Sequence, residues 1–334
     1  MNTLDPLRAP PPPLIQPKLA PPPPPPVDDG WRQWIAENRL RDCTPDSMVE
    51  TMVAAGLDRQ AARTAVAAME TDPVFRAARR HLELHRKLES VVANQQKLWA
   101  SNPRYGHVEK RSHVGRDEFM ERYVWGSRPV VLTGVAQDWP AMRRWSPADL
   151  KQRFGHLDVE VQAERSGDPR YEVNKVEHRH VTRLSDFVDR VVAGGVTNDY
   201  YLTANNEALR RPEFSPLLDD IGTLPEFCDR AQLAARSSFW FGPAGTVTPL
   251  HHDTLMLLHT QVVGRKRWRF ISPMETPNLY NFARVYSPID LDRPDLARFP
   301  RFRDVRVLEV VAEPGDTVFL PLGWWHQVTA LDVS

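Results

Sequence analysis

Apolar residues recur at helical spacing through much of the first hundred residues. Trp31, Trp34 and Ile35 fall on one face of a helix that starts near Asp28. A longer helix ending near Trp99 carries an apolar stripe whose members are spaced four, three and seven residues apart: Leu84, Leu88, Val91 and Leu98. The pattern predicts a helical region in which this stripe packs either within the chain or against a second copy of it.

Four segments carry the signature of a helix start. They are Thr44-Pro45, Asp58, Asp72-Pro73 and Ser146-Pro147. A side-chain oxygen just before a helix accepts a hydrogen bond from a free backbone N–H, and proline suits the first helical position. We expect a helix to begin at each of these points.

Short β-like runs separated by glycine and proline turns follow Pro103. The runs cover residues 128–134, 159–161, 200–202, 239–241, 255–263, 267–271, 305–311 and 317–320. Many short strands with such turns are typical of an antiparallel sandwich or barrel. We therefore expect a mainly β domain with added helices (α+β), of the jelly-roll type, preceded by a small helical region.

The first residues of the chain are dominated by proline. Residues 10–13 and 21–26 are uninterrupted proline blocks. Such a segment lacks backbone donors and cannot build a core, so residues 1–27 are expected to be disordered or polyproline II. The sequence thus divides into a proline-rich tail at 1–27, a helical region at 28–102 and a β-rich domain at 103–334.

Amino-acid composition bears on the partners and the cellular location to be expected. Lys+Arg and Asp+Glu both number 43, so the net charge is zero and nucleic acid is not the expected partner, although a local basic groove stays possible. The two cysteines, Cys43 and Cys228, are far apart and form no CxxC site. With no secretory signal and no apolar run long enough to cross a membrane, we expect a cytoplasmic protein without a membrane partner.

The segment Thr248-Pro249-Leu250-His251-His252-Asp253 carries the chemistry. In a strand, side chains two residues apart point to the same face, so His251 and Asp253 converge. A second imidazole, His326, follows 75 residues further along, after Trp324-Trp325. Two histidines and one carboxylate on one face of a metal ion form the ligand set of non-haem Fe(II) oxygenases.

The stretch from about Phe119 to the end resembles the JmjC-type, cupin-8 hydroxylases, the group that includes the asparaginyl hydroxylase called factor inhibiting HIF. The matching segments are TPLHHD, GRKRWRF, PGDTVFLPLGWWHQV and, more loosely, RPVVLTG. The resemblance implies a double-stranded β-helix. It also implies oxidation by Fe(II), 2-oxoglutarate and O2, which yields succinate, CO2 and a hydroxylated substrate.

The same resemblance implies roles for individual residues. His251, Asp253 and His326 match the iron ligands, whereas His252 is expected to face the opposite side of the strand. Three residues match the groups that hold 2-oxoglutarate: Lys266 at its far carboxylate, with Thr248 and Tyr201 assisting.

Two departures from the family pattern stand out. Leu257 occupies a position where close relatives have an asparagine that contacts the co-substrate, and leucine cannot make that hydrogen bond. His259 or a water molecule is expected to supply the lost donor. The sequence also ends at Ser334, eight residues after His326, so the last strand of the β-helix is expected to be missing.

These observations predict an Fe(II)- and 2-oxoglutarate-dependent dioxygenase that hydroxylates a protein or peptide side chain, with homodimerisation as a possible feature. Three alternatives stay open. They are a non-catalytic cupin that serves as a binding or assembly module, a JmjC-type demethylase, and an RNA hydroxylase.

Overall fold

A computed structural model describes residues 25–204, 207–281 and 284–334. Most of the predicted proline-rich tail lies outside these residues. The chain divides into two compact units, Met1–Leu88 and Glu89–Ser334. This division falls inside one long helix, and the boundary predicted between residues 102 and 103 stays a prediction.

Four helices occupy the first part of the described chain. They are α1 (Asp29–Leu40), α2 (Pro45–Ala54), α3 (Arg59–Thr71) and α4 (Pro73–Ala100). The predicted helix starts are confirmed: Thr44, Asp58 and Asp72 accept hydrogen bonds from backbone N–H groups of the first turns of α2, α3 and α4. No helix among the described residues is both long and apolar enough to cross a membrane.

The first unit has a small core of its own. Ile35 of α1 and Met48 and Met52 of α2 are buried together with Ala62 and Val66 of α3. Trp31 and Trp34 are partly buried against this cluster, which confirms the apolar face predicted for α1. Small residues such as Ala62 allow the short helices to approach one another closely.

The second unit contains ten strands and six short helices among its described residues. The strands are β1 (Glu109–Arg111), β2 (Val130–Leu132), β3 (Asp158–Gln162), β4 (Arg179–Arg183), β5 (Val247–His252), β6 (Leu257–Thr260), β7 (Lys266–Ile271), β8 (Leu308–Ala312), β9 (Thr317–Leu320) and β10 (Trp325–Ala330). The helices are α5 (Arg116–Phe119), α6 (Ala141–Arg144), α7 (Pro147–Phe154), α8 (Leu184–Ala193), α9 (Ser215–Asp219) and α10 (Leu233–Arg236).

Two four-stranded sheets form the body of this unit. One has the order β1-β2-β9-β6 and the other the order β5-β10-β7-β8, while β3 and β4 form a separate pair. Side chains from both large sheets share one core, for example Val318 and Leu320 of β9 with Trp268 and Phe270 of β7. This arrangement confirms the predicted jelly-roll fold with added helices, and β6 lies at one edge of its sheet.

Several predicted strands differ from the observed ones. The run at 255–263 contains only the four residues of β6, and the run at 305–311 contributes β8 from Leu308 onwards. The runs at 200–202 and 239–241 are not strands, because Tyr201, Leu202 and Phe241 take part only in isolated bridges. Apolar alternation identifies buried extended chain, but it does not show whether a neighbouring backbone pairs with it.

A buried carboxylate joins several segments of the second unit. The Asp220 side chain is fully buried and accepts hydrogen bonds from Arg144 Nη1 at 2.7 Å, Arg153 Nη1 at 2.7 Å and Trp145 Nε1 at 3.0 Å. Burial acts to raise the pKa of this carboxyl, but these hydrogen bonds outweigh it and hold the pKa below its usual value. Asp220 therefore fastens α6 and α7 to the chain that follows α9.

We predict that Asp220→Ala destabilises the protein by about 3 kcal/mol at pH 7, because it leaves two guanidinium groups without their shared partner. The control Asp149→Ala removes a carboxylate that is bound to Arg153 alone. It is expected to lower the free energy of unfolding by less than about 1 kcal/mol. Because the folded-state pKa of Asp220 is lowered, its contribution is complete above about pH 4 and is lost as the pH falls further. Urea denaturation at several pH values measures the free energy of unfolding. Equal losses of stability in the two variants would contradict the role given to Asp220.

Candidate metal centre

Strands β5 and β10 bring the predicted metal ligands together. The two strands are antiparallel, and His326 lies directly opposite His251. Their ring centroids are 4.1 Å apart, and His326 Nε2 lies 3.7 Å from Asp253 Oδ2. One potential ligand atom from each of His251, Asp253 and His326 lies within 4.8 Å of the others.

Backbone carbonyls fix the orientation of both imidazoles. His251 Nδ1 lies 2.8 Å from the carbonyl of Pro249, and His326 Nδ1 lies 3.1 Å from the carbonyl of Trp324. A carbonyl only accepts, so each Nδ1 carries the proton and each Nε2 keeps its lone pair for a metal ion. Burial, followed by the neighbouring His251, lowers the pKa of His326 well below its usual value, so this ligand stays neutral.

The turn before β10 holds the third ligand. Gly323, at a φ of +74°, donates its backbone N–H to the carbonyl of Asp253 at 3.1 Å. Trp324 and Trp325 anchor the same turn through indole hydrogen bonds to Ser127 and Thr276. The glycine and tryptophans of the GWWH segment thus fix the positions of both His326 and Asp253.

Fe(II) fits this set of donors. Two imidazole Nε2 atoms and one carboxylate supply three ligands on one side and leave the remaining positions open. Two ligand atoms at right angles, each about 2.2 Å from an ion, lie about 3.1 Å apart, so a bound ion would draw the three donor atoms closer together than the 4.8 Å within which they now lie.

A β-bulge in β5 decides which residues face this centre. His326 pairs with His251, but Val328 pairs with Thr248, so three steps along β5 match two along β10. Strict alternation would turn Thr248 away from His251, and the extra residue returns it to the inner face. Pro249 lies within this bulge, one of the few places in a strand that tolerate a residue without a backbone N–H.

The predicted co-substrate residues also converge. Lys266 of β7 is 3% exposed, and its Nζ donates to Tyr201 Oη at 3.1 Å. Tyr201 fits closely because a Cβ at Gly242 would lie 2.5 Å from its ring. Through the bulge, Thr248 faces the same interior from β5. The structure thus places Lys266 in contact with Tyr201, and Thr248 on the same inward side of the sheet as His251, and the roles of all three stay predictions.

His252 and His259 lie in different surroundings from the two histidines of the triad. His252 faces away from the triad and packs edge-on against Trp325, with ring centroids 4.6 Å apart. His259 of β6 contacts Trp268 at 5.0 Å between centroids, and its Nε2 lies 3.2 Å from Gln261 Oε1. Burial, followed by the charge of Lys266, lowers the pKa of His259 to about 3.

Sequence reasoning missed a buried arginine that contacts Tyr201. Arg165 is 1% exposed and lies over the rings of Tyr171 at 4.2 Å and Tyr201 at 5.5 Å. Its Nη2 donates to Glu172 Oε1 at 3.1 Å and to the carbonyl of Val247 at 2.9 Å. These residues come from an irregular segment after β3 that carries no periodicity, so no sequence pattern indicates them.

Tyr286 was missed for a similar reason. It forms an isolated bridge with His251 and stacks on the imidazole at 5.7 Å between centroids. Burial, followed by the negative charges of Glu172 and Asp253, raises the pKa of its phenol, so Tyr286 keeps its proton at neutral pH. The long connection between β7 and β8 therefore forms one wall of the centre.

Comparison with known proteins identifies one matching family and several relatives. The model of the cupin-like domain family matches residues 116–334. Lysine-specific demethylase 8 of Xenopus tropicalis is 32% identical over 65% of this chain and 49% of its own length, and lysine-specific demethylase JMJ30 of Arabidopsis thaliana is 30% identical over 68% and 53%. The tRNA wybutosine-synthesizing protein 5 of Danio rerio is 30% identical over 69% of this chain and 71% of its own.

The chain spans about half the length of the two demethylases. The family match covers the whole region that contains the bulged strand, the Lys266–Tyr201 pair and the triad. The chain therefore belongs to the family of cupin-like domains, as its resemblance to the JmjC-type proteins predicts.

Proposed function

We propose that this protein is an Fe(II)- and 2-oxoglutarate-dependent dioxygenase that hydroxylates a side chain of a protein or peptide. The observation that carries the proposal is the cluster of His251, Asp253 and His326, together with a buried lysine on the inward face of the neighbouring strand β7. Fe(II) and 2-oxoglutarate, when bound, supply oxidation of a C–H bond by O2 with release of succinate and CO2. Membership in the cupin-like family supports this chemistry.

The residues of the chain have distinct tasks in this proposal. The Nε2 lone pairs of His251 and His326, with the Asp253 carboxylate, hold the metal and leave one side open. Lys266 binds the far carboxylate of 2-oxoglutarate, since a buried ammonium group with one neutral partner strongly favours an anion. Tyr201 holds the ammonium in place, and buried Trp268 and Trp324 keep water out of the interior.

Demethylation is the second candidate function. Two relatives are named lysine-specific demethylases, and removal of a methyl group can begin with hydroxylation of its carbon. One relative is named tRNA wybutosine-synthesizing protein 5, so RNA is also a substrate class to be tested. A cytoplasmic location stays a prediction.

We also propose that the chain forms a homodimer through the stripe on α4. The side chains are strongly exposed: Leu84 is 54%, Leu88 56%, Val91 52% and Leu98 68% accessible. Their spacing of four, three and seven residues is the a/d pattern of a two-stranded coiled coil. A second α4 with the same stripe is the natural partner, because knobs and holes on identical helices match.

We predict that His251→Ala abolishes Fe(II)-dependent formation of succinate from 2-oxoglutarate, with a loss of more than about 100-fold. The change removes one of three metal ligands. His252→Ala, the neighbour that faces away and packs on Trp325, is the matched control and keeps most of the activity. Metal content by mass spectrometry is measured alongside. Equal effects of the two variants, or succinate formation without metal, would count against the proposal.

We predict that Lys266→Ala raises the KM for 2-oxoglutarate at least about tenfold, because it removes the charged partner of the far carboxylate. The adjacent Arg265, which is half exposed and paired with Asp332, serves as control. Arg265→Ala leaves this KM within about twofold. The assay is succinate release at saturating Fe(II), and an unchanged KM for Lys266→Ala would refute the assignment.

We predict that Leu88→Glu converts a dimer into a monomer, since it places a charge in the centre of the apolar stripe. Ala93→Glu adds the same charge to an exposed position on a different side of α4 and leaves the dimer intact. Light scattering coupled to gel filtration gives the mass directly. A monomeric wild-type chain, or equal behaviour of both variants, would rule out pairing through this stripe.

A further inference from the structure

Strand β7 carries three inward-facing side chains, at alternate positions from Lys266 to the residue opposite His326. Lys266, Trp268 and Phe270 are at most 3% exposed, whereas Arg267 and Arg269 face outward and bind Asp292. In the register with β10, Lys266 lies opposite Ala330 and Phe270 lies opposite His326. Trp268 therefore stands between the residue proposed to hold the far carboxylate and a proposed metal ligand.

The indole of Trp268 has an unsatisfied donor. Its Nε1 is buried and finds no hydrogen-bond partner within the described part of the chain. Other buried indoles do find one: those of Trp139, Trp324 and Trp325 donate to Thr223, Ser127 and Thr276. Leaving a buried N–H unbonded is costly, so a free donor on the inward face that also carries Lys266 indicates an acceptor on a bound ligand.

Leu257 explains why the interior needs another donor. It lies on β6 opposite Leu320 and packs in the same core cluster as Trp268. The family resemblance places an asparagine at this position, whose amide contacts the co-substrate. Leucine provides no hydrogen bond there.

His259 does not replace this donor. Gln261 Nε2 donates to the carbonyls of Val263 at 2.7 Å and Gly264 at 3.1 Å, so its Oε1 must face His259. An amide oxygen only accepts, and His259 Nε2 therefore carries the proton of a neutral imidazole. The remaining Nδ1 offers a lone pair and cannot donate to a carboxylate.

We infer that Trp268 Nε1 donates a hydrogen bond to a carboxylate oxygen of 2-oxoglutarate, in place of the asparagine lost at position 257. The inference rests on the proposed function and adds one specific residue to it. Trp268 faces the interior on the same strand as Lys266. Val328 of β10 pairs with Trp268 on one side and with Thr248 on the other, so these two residues lie level with each other across the sheet. The indole N–H of Trp268 has no hydrogen-bond partner among the described residues.

The test compares Trp268→Phe with the wild-type full chain. Phenylalanine keeps an aromatic ring that can stack on His326 but removes the N–H. Calorimetric titration with 2-oxoglutarate in the presence of Mn(II) is expected to show a dissociation constant raised roughly 10- to 100-fold, while the affinity for Mn(II) itself stays unchanged. Adding Leu257→Asn to this variant is expected to recover most of the affinity.

Trp139→Phe is the matched control, because it removes a buried indole N–H that already has a protein partner. This variant is expected to bind 2-oxoglutarate as the wild type does but to unfold at a lower temperature. Trp268→Phe without co-substrate is expected to be no less stable than that control, since no protein hydrogen bond is lost. Co-substrate should then raise its unfolding temperature less than that of the wild type.

A second measurement uses the unaltered protein. In the Zn(II)-loaded chain labelled with nitrogen-15, the indole N–H signal of Trp268 is expected to move downfield when 2-oxoglutarate is added. An unmoved signal, or a dissociation constant for Trp268→Phe within twofold of the wild type, overturns the inference. A wild-type chain that binds no 2-oxoglutarate with Mn(II) overturns the proposed function as well.

Discussion

The pairing of β5 with β10 is the constraint on which the proposed centre depends. It sets His326 directly opposite His251, and the bulge at Pro249 lets Thr248 face the same interior. A shift of one residue in this register would turn the inward side chains to the other face and separate the ligands. Core packing of Leu250 and Trp325 on the other side of the same strands opposes such a shift.

Neighbouring segments stabilise the pairing of β5 with β10. Gly323 ties the turn before β10 to Asp253, and Trp324 and Trp325 fasten that turn to distant segments. On the opposite side, β7 pairs with β10 and carries Lys266 into the interior. The proposed metal ligands and the proposed co-substrate residues on these strands therefore lie on the same inward face of one three-stranded arrangement, β5-β10-β7.

Sequence patterns predicted the parts of this arrangement that depend on local spacing. The helix starts, the jelly-roll class and the convergence of His251 and Asp253 follow from caps, turns and strand periodicity. The bulge was not predictable, because nothing in the residues 248–251 shows that β10 advances two steps while β5 advances three. Arg165 and Tyr286 were missed since they lie in irregular segments, where position is set by tertiary contacts.

The departure at Leu257 shows how a site can change while its fold is kept. Sequence comparison alone marks the position as a loss and suggests His259 as the replacement. The hydrogen bonds of Gln261 show instead that His259 can only accept on its free side, and the buried indole of Trp268 supplies a donor from a different strand. In the arrangement we propose, the co-substrate side of the centre is rebuilt around β7, while the metal ligands are kept.

The central claim is that one metal ion binds between His251, Asp253 and His326 and is shared with 2-oxoglutarate. Anomalous diffraction from crystals grown with Mn(II) and 2-oxoglutarate tests it most directly. The account predicts a single strong peak about 2.2 Å from both Nε2 atoms and the Asp253 carboxylate, with the co-substrate extending towards Lys266. A peak elsewhere, or co-substrate density remote from Lys266, would contradict it.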